Sequence, residues 1–231
     1  MTIRVLIADD QPVVRKGFSY FLRSDPEVEL VGTASTGREA VERVATSRPD
    51  VVLMDVRMPD GTGLWASRRI LDSPGSSCAI IMMTTFDLDS YLFGALDLGA
   101  SGFLLKDCDP EDLLSAVHTV AGGGSAVSDA LTGRLVTEFA RRKNAAPSRQ
   151  PSPVPPHGLT QREIDVVRLL ADGCSNKDIA ESLNLELSTV KAHVGHITAK
   201  LKVTSRVQVV VWAFASGLVT PGTRWRTATS S

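Results

Sequence analysis

Short apolar runs alternate with longer amphipathic stretches along the first half of the chain. The runs are continuous and rich in β-branched residues, as in strands covered on both faces, whereas the stretches have the three- and four-residue spacing of helices. This alternation predicts repeated βα units and therefore an α/β doubly wound, five-stranded parallel sheet. The predicted strands are Ile3–Ala8, Glu29–Ala34, Val51–Met54, Ala79–Met83 and Gly102–Leu105. The predicted helices are Pro12–Leu22, Arg38–Ser47, Leu64–Leu71, Leu88–Leu98 and Pro110–Ala121.

The pattern after residue 124 is helical, with one interruption. Residues 144–157 include five prolines and almost nothing to bury, which predicts a flexible linker. One helix is predicted before this linker, at Asp129–Lys143. Four helices are predicted after it and form a small all-α domain. They are Thr160–Asp172, Asn176–Leu183, Ser188–Leu201 and Arg206–Ser216.

These features divide the chain into five regions. They are a first domain at 1–124, a connecting helix at 125–143, the proline-rich linker at 144–157, a second domain at 158–220 and a tail at 221–231. A length of 231 residues suits two small domains that each bury a core, and 43% hydrophobic with 22% charged residues is the composition of a globular protein.

Composition also bears on location. No apolar run approaches the roughly 20 residues that a membrane-spanning helix needs. Asp9 and Asp10 interrupt the first apolar stretch, so the N-terminus lacks the form of a secretory signal. We therefore expect a cytoplasmic protein without membrane contact. The three cysteines lie far apart without a C-x-x-C pair, so neither a disulfide framework nor a zinc site is predicted.

Charge is distributed unevenly between the two domains. From His157 onward the chain has nine Lys and Arg against six Asp and Glu, a net charge of +3, while the remainder carries −4. A basic second domain favours nucleic-acid binding, although weakly when taken alone.

Polar side chains stand where four of the predicted strands end. They are Asp9, Asp10, Asp55, Thr84, Thr85 and Lys106. Ligands of an open parallel sheet gather beyond the carboxyl ends of its strands, so we expect these residues on one rim. Clustered carboxylates with a backbone carbonyl are suitable ligands for Mg²⁺. One of the carboxylates can then attack phosphorus, while the metal, a hydroxyl and a lysine offset the negative charge on the phosphoryl oxygens. Single residues of these types at strand ends are usually caps and turn residues. Their combination in this order predicts phosphoryl chemistry.

Residues 3–122 resemble the receiver domain of response regulators, which has a flavodoxin-like fold. The resemblance lies in Val5-Leu-Ile-Ala-Asp-Asp10, Asp50-Val-Val-Leu-Met-Asp-Val-Arg-Met-Pro-Asp-Gly61, Met83-Thr-Thr-Phe86 and Gly99-Ala-Ser-Gly-Phe-Leu-Leu-Lys-Asp107. It implies that a sensor histidine kinase phosphorylates Asp55. It also implies that Asp10, Asp55 and the backbone carbonyl of Arg57 bind Mg²⁺ with help from Asp9.

The same resemblance implies a switch. Thr84 and Lys106 would contact the phosphoryl oxygens, and the new charge at Asp55 would draw Thr84 inward and shift the face that contains Leu88–Leu98. Phe103 stands where receivers carry an aromatic residue whose rotamer follows this threonine. The alternative for Phe103, a plain core residue of the fifth strand, stays open.

The second domain begins with a helix-start signal. Leu159-Thr-Gln-Arg-Glu163 predicts a capping box in which Thr160 and Glu163 bond each other's backbone. Two further helices joined by a short link, Asn176–Leu183 and Ser188–Leu201, have helix-turn-helix form, whose second helix can enter a major groove. The alternative is a plain helical bundle with a solvated polar face. The residues predicted to share the core are Ile179, Ala180, Leu183, Val190, Val194, Ile197 and Leu201.

The amino-acid sequence of this region resembles LuxR-type domains. The resemblance lies in Leu-Thr-x-Arg-Glu, Gly173-Cys-Ser-Asn-Lys-Asp-Ile-Ala and Thr189-Val-Lys-x-His-Val-x-x-Ile-x-x-Lys-Leu201. It implies that Lys191 contacts DNA, that Thr189, Ala192 and Gly195 face the groove, and that Ser175, Asn176 or Lys200 lie near phosphates. Small Ala192 and Gly195 predict few direct base contacts and more reliance on phosphates, water or DNA shape. His193 is predicted to pack or to contact a phosphate, because its spacing from His196 without further ligands disfavours zinc.

Together the two halves resemble the NarL/FixJ family of response regulators. This predicts a transcription factor rather than an enzyme, whose receiver masks or misorients the DNA-binding helices until Asp55 is phosphorylated, with Mg²⁺ as cofactor. It would then form a homodimer on inverted promoter half-sites, and RNA polymerase is a further candidate partner. The helix at Arg206–Ser216 has more apolar surface than a small bundle needs, so it is either a dimer face or ordinary core.

Three alternatives are weighed against this prediction. An aspartate-nucleophile phosphatase would also use Asp55 and Mg²⁺, but it predicts a D-x-D motif, whereas Arg57 stands two residues after Asp55. A DNA-binding protein regulated only by partner contact would bind DNA equally well after Asp55→Ala. A phosphorelay intermediate would have no affinity for DNA.

Overall fold

One parallel sheet organises the first half of the computed structural model, which describes residues 2–74, 78–85, 94–95, 97–128, 131–132, 158–203 and 205–219. The strands are β1 (Ile3–Ala8), β2 (Val28–Ala34), β3 (Val51–Asp55), β4 (Ala79–Thr84), β5 (Gly102–Leu105) and β6 (Ala126–Val127). Their order is β2-β1-β3-β4-β5-β6, and all pairs are parallel. The predicted fold class is confirmed, with one strand more than the five predicted.

The additional strand β6 pairs with β5, with Phe103 opposite Val127. It is two residues long and follows three glycines, so it has too few positions to produce a recognisable hydrophobic pattern.

Helices cover both faces of the sheet. They are α1 (Pro12–Arg23), α2 (Gly37–Ser47), α3 (Gly63–Leu71) and α4 (Pro110–Ala121). Side chains alternate along each strand: Leu53 faces one core with α1 and α4, while Val52 and Met54 face the other with α2 and α3. Because both faces are buried, all five residues of β3 are buried, which explains its continuous apolar run.

Two predicted helices fall mostly outside the described residues. Of Leu88–Leu98, Gly94, Ala95 and Asp97 are described as helical. Of Asp129–Lys143, Leu131 and Thr132 are described as helical. The predicted linker and tail lie outside the described residues altogether.

The second half contains four helices around its own core. They are α5 (Gln161–Ala171), α6 (Asn176–Leu183), α7 (Leu187–Leu201) and α8 (Arg206–Ala215). The capping box predicted at the start of α5 is present, because the Glu163 amide donates to Thr160 Oγ1 and the Thr160 amide donates to Glu163 Oε2. All seven predicted core residues of the helix-turn-helix belong to this core, four of them buried and three partly buried. In the described part of the chain, no helix is long and apolar enough to cross a membrane.

Candidate functional sites

Three carboxylates and one amine meet at the carboxyl ends of the strands, as the sequence predicts. Asp9 directly follows β1 and Asp55 is the last residue of β3; both are buried, while Asp10 is exposed. Carboxylate oxygens of the three aspartates lie within 4.8 Å of one another. The side chain of Lys106, 9% exposed, places Nζ 2.7 Å from Asp9 Oδ2 and 2.9 Å from Asp55 Oδ2.

This cluster carries more negative than positive charge. Burial raises the pKa of Asp55 above its ordinary value, against the opposing effect of the hydrogen bond and charge of Lys106. Asp9 Oδ2 lies at ion-pair distance from Lys106, yet it accepts no hydrogen bond from the described residues. The single ammonium group of Lys106 therefore neutralises only part of the charge of the two buried carboxylates. Asp9 Oδ2 remains able to bind a cation. Clustered hard oxygen ligands of this kind suit Mg²⁺.

Backbone groups fix the orientation of the two buried aspartates. The Gln11 amide donates to Asp9 Oδ1 at 2.8 Å, and the Arg57 amide donates to Asp55 Oδ1 at 3.3 Å. Arg15 Nη1 donates to the carbonyl of Asp9 at 2.6 Å. Sequence analysis did not single out Gln11 or Arg15, since neither stands at a strand end. The pocket above the cluster is lined by Asp10, Gln11, Asp55, Arg57, Thr85 and Lys106.

Glycines allow the loop after β3 to pack closely around the site. A Cβ at Gly63 would lie 1.8 Å from the carbonyl oxygen of Asp55, and one at Gly37 would lie 1.9 Å from the carbonyl oxygen of Gly61. A side chain at either position would displace backbone, so the start of α3 and the start of α2 both depend on glycine to hold this loop in place. Sequence analysis did not predict these contacts, because a glycine carries no signal of which backbone approaches it.

Thr84 and Phe103 do not line the pocket. Thr84 is buried at the end of β4, and its hydroxyl donates to the carbonyl of Thr85 at 3.0 Å. Phe103 is fully buried in the core that α2 and α3 cover.

The outward face of α7 presents the residues predicted to meet DNA. Lys191, Ala192 and Gly195 are exposed, and Thr189 and His193 are half-buried. A Cβ at Gly195 would meet no heavy atom within 4 Å, so this surface is smooth and open.

Lys200 has a partner within its own domain. Its Nζ lies 2.8 and 2.7 Å from the two carboxylate oxygens of Glu163, which is buried at the start of α5. Although burial raises the pKa of Glu163, the hydrogen bonds from Lys200 and Thr160 hold it below its ordinary value. If Lys200 contacts a DNA phosphate, its ammonium group must bind the phosphate and Glu163 at the same time.

The other two predicted phosphate contacts lie at the start of α6. Ser175 caps this helix, with its hydroxyl oxygen accepting from the Asp178 amide and its amide donating to Asp178. Asn176 Oδ1 accepts from Arg206 Nη1 at 2.7 Å. Both polar groups are thus engaged within the protein, so a phosphate at this helix N-terminus would have to share them with Asp178 and Arg206.

Each half of the chain matches a known protein family. Residues 5–118 match the family described as response regulator receiver domain, and residues 157–213 match the family described as bacterial regulatory proteins, luxR family. The oxygen regulatory protein NreC of Staphylococcus aureus (strain NCTC 8325 / PS 47) is 40% identical over 218 residues, which cover 94% of this chain and 99% of that protein.

Two solved structures are similar to this chain over more than nine tenths of its length. The response regulator ChrA of a heme-sensing two-component system is 30% identical with a TM-score of 0.51, covering 94% of this chain and 99% of that one. The RcsB response regulator of Salmonella typhimurium, from a study of conformational dynamism for DNA interaction, is 25% identical with a TM-score of 0.55, covering 91% and 97%. The chain belongs to the response regulators of two-component systems that join a receiver domain to a LuxR-type DNA-binding domain and regulate transcription.

Proposed function

We propose that Asp55 accepts a phosphoryl group from a partner sensor histidine kinase and that this modification controls dimerisation and promoter binding. The supporting observation is the buried Asp55 carboxylate, which lies 2.9 Å from Lys106 Nζ beneath an open pocket. An oxygen of Asp55 attacks the phosphorus of the phosphohistidine, the P–N bond breaks, and the imidazole leaves with the bonding electron pair. The product is an aspartyl phosphate.

The residues around Asp55 have separate tasks in this reaction. Lys106 stabilises the negative charge on the transferring phosphoryl oxygens, and the Arg57 amide holds the attacking carboxylate in position. Thr84 would turn from the carbonyl of Thr85 toward the phosphoryl group, and buried Phe103 would follow it. Asp9, Asp10, Asp55 and the backbone carbonyl of Arg57 would hold Mg²⁺. Bound Mg²⁺ neutralises charge shared between the carboxylates and the phosphate.

On DNA, α7 would enter the major groove. Exposed Lys191, with Thr189, Ala192, His193 and Gly195 around it, forms the surface that meets the bases. Phosphates would be contacted by Ser175 and Asn176, and by Lys200 where Glu163 releases it. Two copies on inverted half-sites would place their α7 helices one DNA turn apart, roughly 34–36 Å. RNA polymerase is a candidate partner at the promoter.

The test compares the purified full chain with Asp55→Asn, which keeps the size of the side chain but removes the attacking carboxylate. Each protein is incubated with Mg²⁺ and acetyl phosphate, and its mass, oligomeric state and affinity for a DNA site selected from a random pool are measured. We expect wild type to gain one phosphoryl group, dimerise and bind DNA more tightly, and Asp55→Asn to remain unchanged.

Asp60→Asn is the matched control, because Asp60 is exposed in the same loop and pairs with Arg38 outside the pocket. It should behave as wild type. If wild type and Asp55→Asn bind DNA equally well under all conditions, phosphorylation of Asp55 does not control DNA binding. The assignment of the DNA-binding domain would still stand.

A further inference from the structure

A second group of metal-ligating side chains lies at the amino edge of the receiver sheet. Asp25 and Glu27 stand in the turn between α1 and β2, and His118 stands in the last turn of α4. One ligand atom from each of the three side chains lies within 4.8 Å of the other two. Glu27 directly precedes β2, whereas Asp55 ends the parallel strand β3, so this group lies at the opposite edge of the sheet from the phosphorylation pocket.

Two of the three side chains already contact each other. His118 Nε2 lies 2.8 Å from Asp25 Oδ2, and the two side chains are 35% and 17% exposed. An ionised carboxylate only accepts hydrogen bonds, so Nε2 carries the proton in this contact. The hydrogen bond from His118 lowers the pKa of Asp25 below its ordinary value, which keeps the carboxylate ionised and able to bind a cation. The two residues are 93 positions apart, so no spacing rule could relate them in the sequence.

Backbone hydrogen bonds hold the turn that carries the two carboxylates. The Glu27 amide donates to Asp25 Oδ1 at 2.8 Å, and the Val28 amide donates to the carbonyl of Asp25 at 3.2 Å. The Ile3 amide, at the start of β1, donates to the carbonyl of Glu27 at 2.7 Å. Asp25 Oδ1 is thus used within the turn, while Oδ2 faces His118. The turn therefore presents one carboxylate oxygen in a fixed position.

Packing of α1 against α4 fixes the position of the imidazole relative to this turn. Leu22, in the last turn of α1, and Val117, the residue before His118, are buried in the same core. Because this core holds the ends of the two helices together, the ligand atoms stay close whether or not an ion is bound. Ligands on such rigid elements lose little conformational entropy when they bind an ion.

Glu27 is the member of the group that no protein contact explains. Its side chain is exposed, and within the described residues its carboxylate has no hydrogen bond or ion pair. The exposed Glu29, two residues further on, instead lies 3.8 Å from Arg4. A purely structural contact between α1 and α4 would need Asp25 and His118 alone, whereas a metal site also uses Glu27.

We propose that Asp25, Glu27 and His118 bind a divalent transition-metal ion of the Zn²⁺ type, with water completing the coordination. Zn²⁺ takes imidazole nitrogen and carboxylate oxygen at about 2.0–2.2 Å, so ligand atoms around a tetrahedral ion lie about 3.3 Å apart. The contact between His118 and Asp25 must widen slightly, and the exposed Glu27 must turn inward. His118 binds the ion through an unprotonated Nε2, and its proton passes through solvent to Nδ1.

The nitrogen ligand determines which ion this site prefers. Imidazole suits Zn²⁺, Cu²⁺ and Ni²⁺, whereas Mg²⁺ prefers oxygen ligands and keeps several waters. Mg²⁺ is therefore expected at the three aspartates of the other edge, and Zn²⁺ at this one. A bound ion would connect the end of α1, the start of β2 and the end of α4, so it would stabilise the folded receiver. This site goes beyond the proposed function, because it does not use Asp55.

Calorimetric titration of the full chain with Zn²⁺, in excess Mg²⁺, tests the ligand set. We expect wild type to bind one Zn²⁺ per chain. Glu27→Gln loses one ligand but keeps the contact between His118 and Asp25, so it should bind Zn²⁺ at least about tenfold more weakly. Glu29→Gln is the matched control and should bind as wild type does. Equal binding by wild type and Glu27→Gln would refute the site.

X-ray absorption at the zinc edge identifies the ligands of the bound ion. The proposal predicts one imidazole and otherwise oxygen neighbours, without sulfur at about 2.3 Å. Two imidazoles would assign the ion to the pair His193 and His196, and sulfur would assign it to a cysteine, so either result would overturn the proposal. His118→Gln should abolish binding, whereas His196→Gln, which removes an exposed histidine on α7, should not change it.

Thermal unfolding gives a measurement independent of the titration. An ion that binds only the folded state should raise the Tm of wild type by several degrees and leave that of Glu27→Gln unchanged. Circular dichroism without zinc verifies that each variant is folded, and Glu27→Gln decides the question if His118→Gln is unstable. An equal shift in wild type and Glu27→Gln, or no shift in wild type, would contradict the proposal.

The proposed function is scored separately by phosphorylation with Mg²⁺ and acetyl phosphate. Because the two sites lie at opposite edges of the sheet, Glu27→Gln should be phosphorylated at Asp55 as wild type is. A wild type that binds Zn²⁺ but accepts no phosphoryl group would uphold the metal site and reject control at Asp55.

Discussion

At the scale of single residues, we expect a substitution of Lys106 to affect metal binding and phosphoryl transfer differently. It is the cation that faces the two buried carboxylates in the described part of the site. In Lys106→Met, Asp9 and Asp55 would lose this counter-charge, so Mg²⁺ should bind as well as in wild type or better. The phosphoryl oxygens would lose a fixed positive charge, so phosphorylation by acetyl phosphate should slow by on the order of tenfold or more.

Both quantities can be measured on one sample. Trp65, exposed at the start of α3, is a fluorescent reporter next to the loop that follows Asp55. Mass spectrometry follows the phosphorylation rate. The exposed lysine in Lys16→Met is the control and should change neither quantity. Loss of Mg²⁺ binding together with phosphorylation would contradict the division of tasks.

Glu163 is a second residue whose charge can be tested alone. Glu163→Gln keeps the capping geometry with Thr160 but leaves Lys200 without its carboxylate partner, which should lower the free energy of unfolding by about 1–3 kcal/mol. Because the pKa of Glu163 is lowered in the folded state, its contribution is present above the ordinary value of 4.5 and is lost as the pH falls through the lowered folded pKa. Wild type and variant should therefore converge in strong acid.

Urea unfolding at several pH values measures this difference. Glu181→Gln is the matched control, because Glu181 forms an exposed pair with Lys177 at 3.9 Å, and it should change stability by well under about 1 kcal/mol. A pH-independent loss for Glu163→Gln would mean that charge is not the cause.

Sequence and structure agree at residues whose role follows from position along a strand. Asp9, Asp55 and Lys106 were predicted to meet because parallel strands share a carboxyl edge. The Lys200–Glu163 pair joins residues 37 positions apart on different helices, and no spacing rule relates them. The same applies to Arg206 and Gly123, 83 positions apart.

At the scale of elements, the loop between β3 and α3 depends on the absence of a side chain. Gly63→Ala would place a methyl group 1.8 Å from the Asp55 carbonyl oxygen, so loop and strand must separate. We expect a loss of about 1–3 kcal/mol in stability and slower phosphorylation. Gly17→Ala, in the open surface of α1, should instead stabilise the protein by up to about 1 kcal/mol through helix propensity.

Thermal unfolding and phosphorylation rates of the two alanine variants decide this point. Equal, small effects would show that the close approach at Gly63 does not position Asp55. The gain in helix propensity from replacing a helical glycine with alanine applies to both variants, so their difference in stability reports mainly on the contact at Gly63.

Elements with a strong period were predicted to within a residue or two. Pro110–Ala121 and Asn176–Leu183 agree with the structure at both ends. The first starts with a proline and the second follows the capping residue Ser175, and both are strong signals of a helix start. Strand β6 was missed, since its pairing with β5 comes from the neighbouring backbone and not from its own pattern. Burial of Val207 and Val211 of α8 in the receiver core was open for a related reason: hydrophobicity predicts burial but not the partner that provides it.

At the scale of the whole molecule, charge and pairing together determine how DNA binding responds to salt. The chain has a net charge of −1, and the part from His157 onward has a net charge of only +3, so each copy offers a limited set of cations to DNA phosphates. The logarithm of the affinity falls with the logarithm of the salt concentration by about 0.9 for every phosphate neutralised. Two copies on adjacent half-sites should therefore double the slope of one copy.

The measurement is a salt titration of DNA binding by wild type treated with Mg²⁺ and acetyl phosphate and by Asp55→Asn treated identically. We expect the slope for wild type to be about twice that for Asp55→Asn, in parallel with the change from monomer to dimer in solution. Equal slopes for the two proteins would mean that phosphorylation changes affinity within one copy, since no additional phosphates would be contacted when the affinity rises.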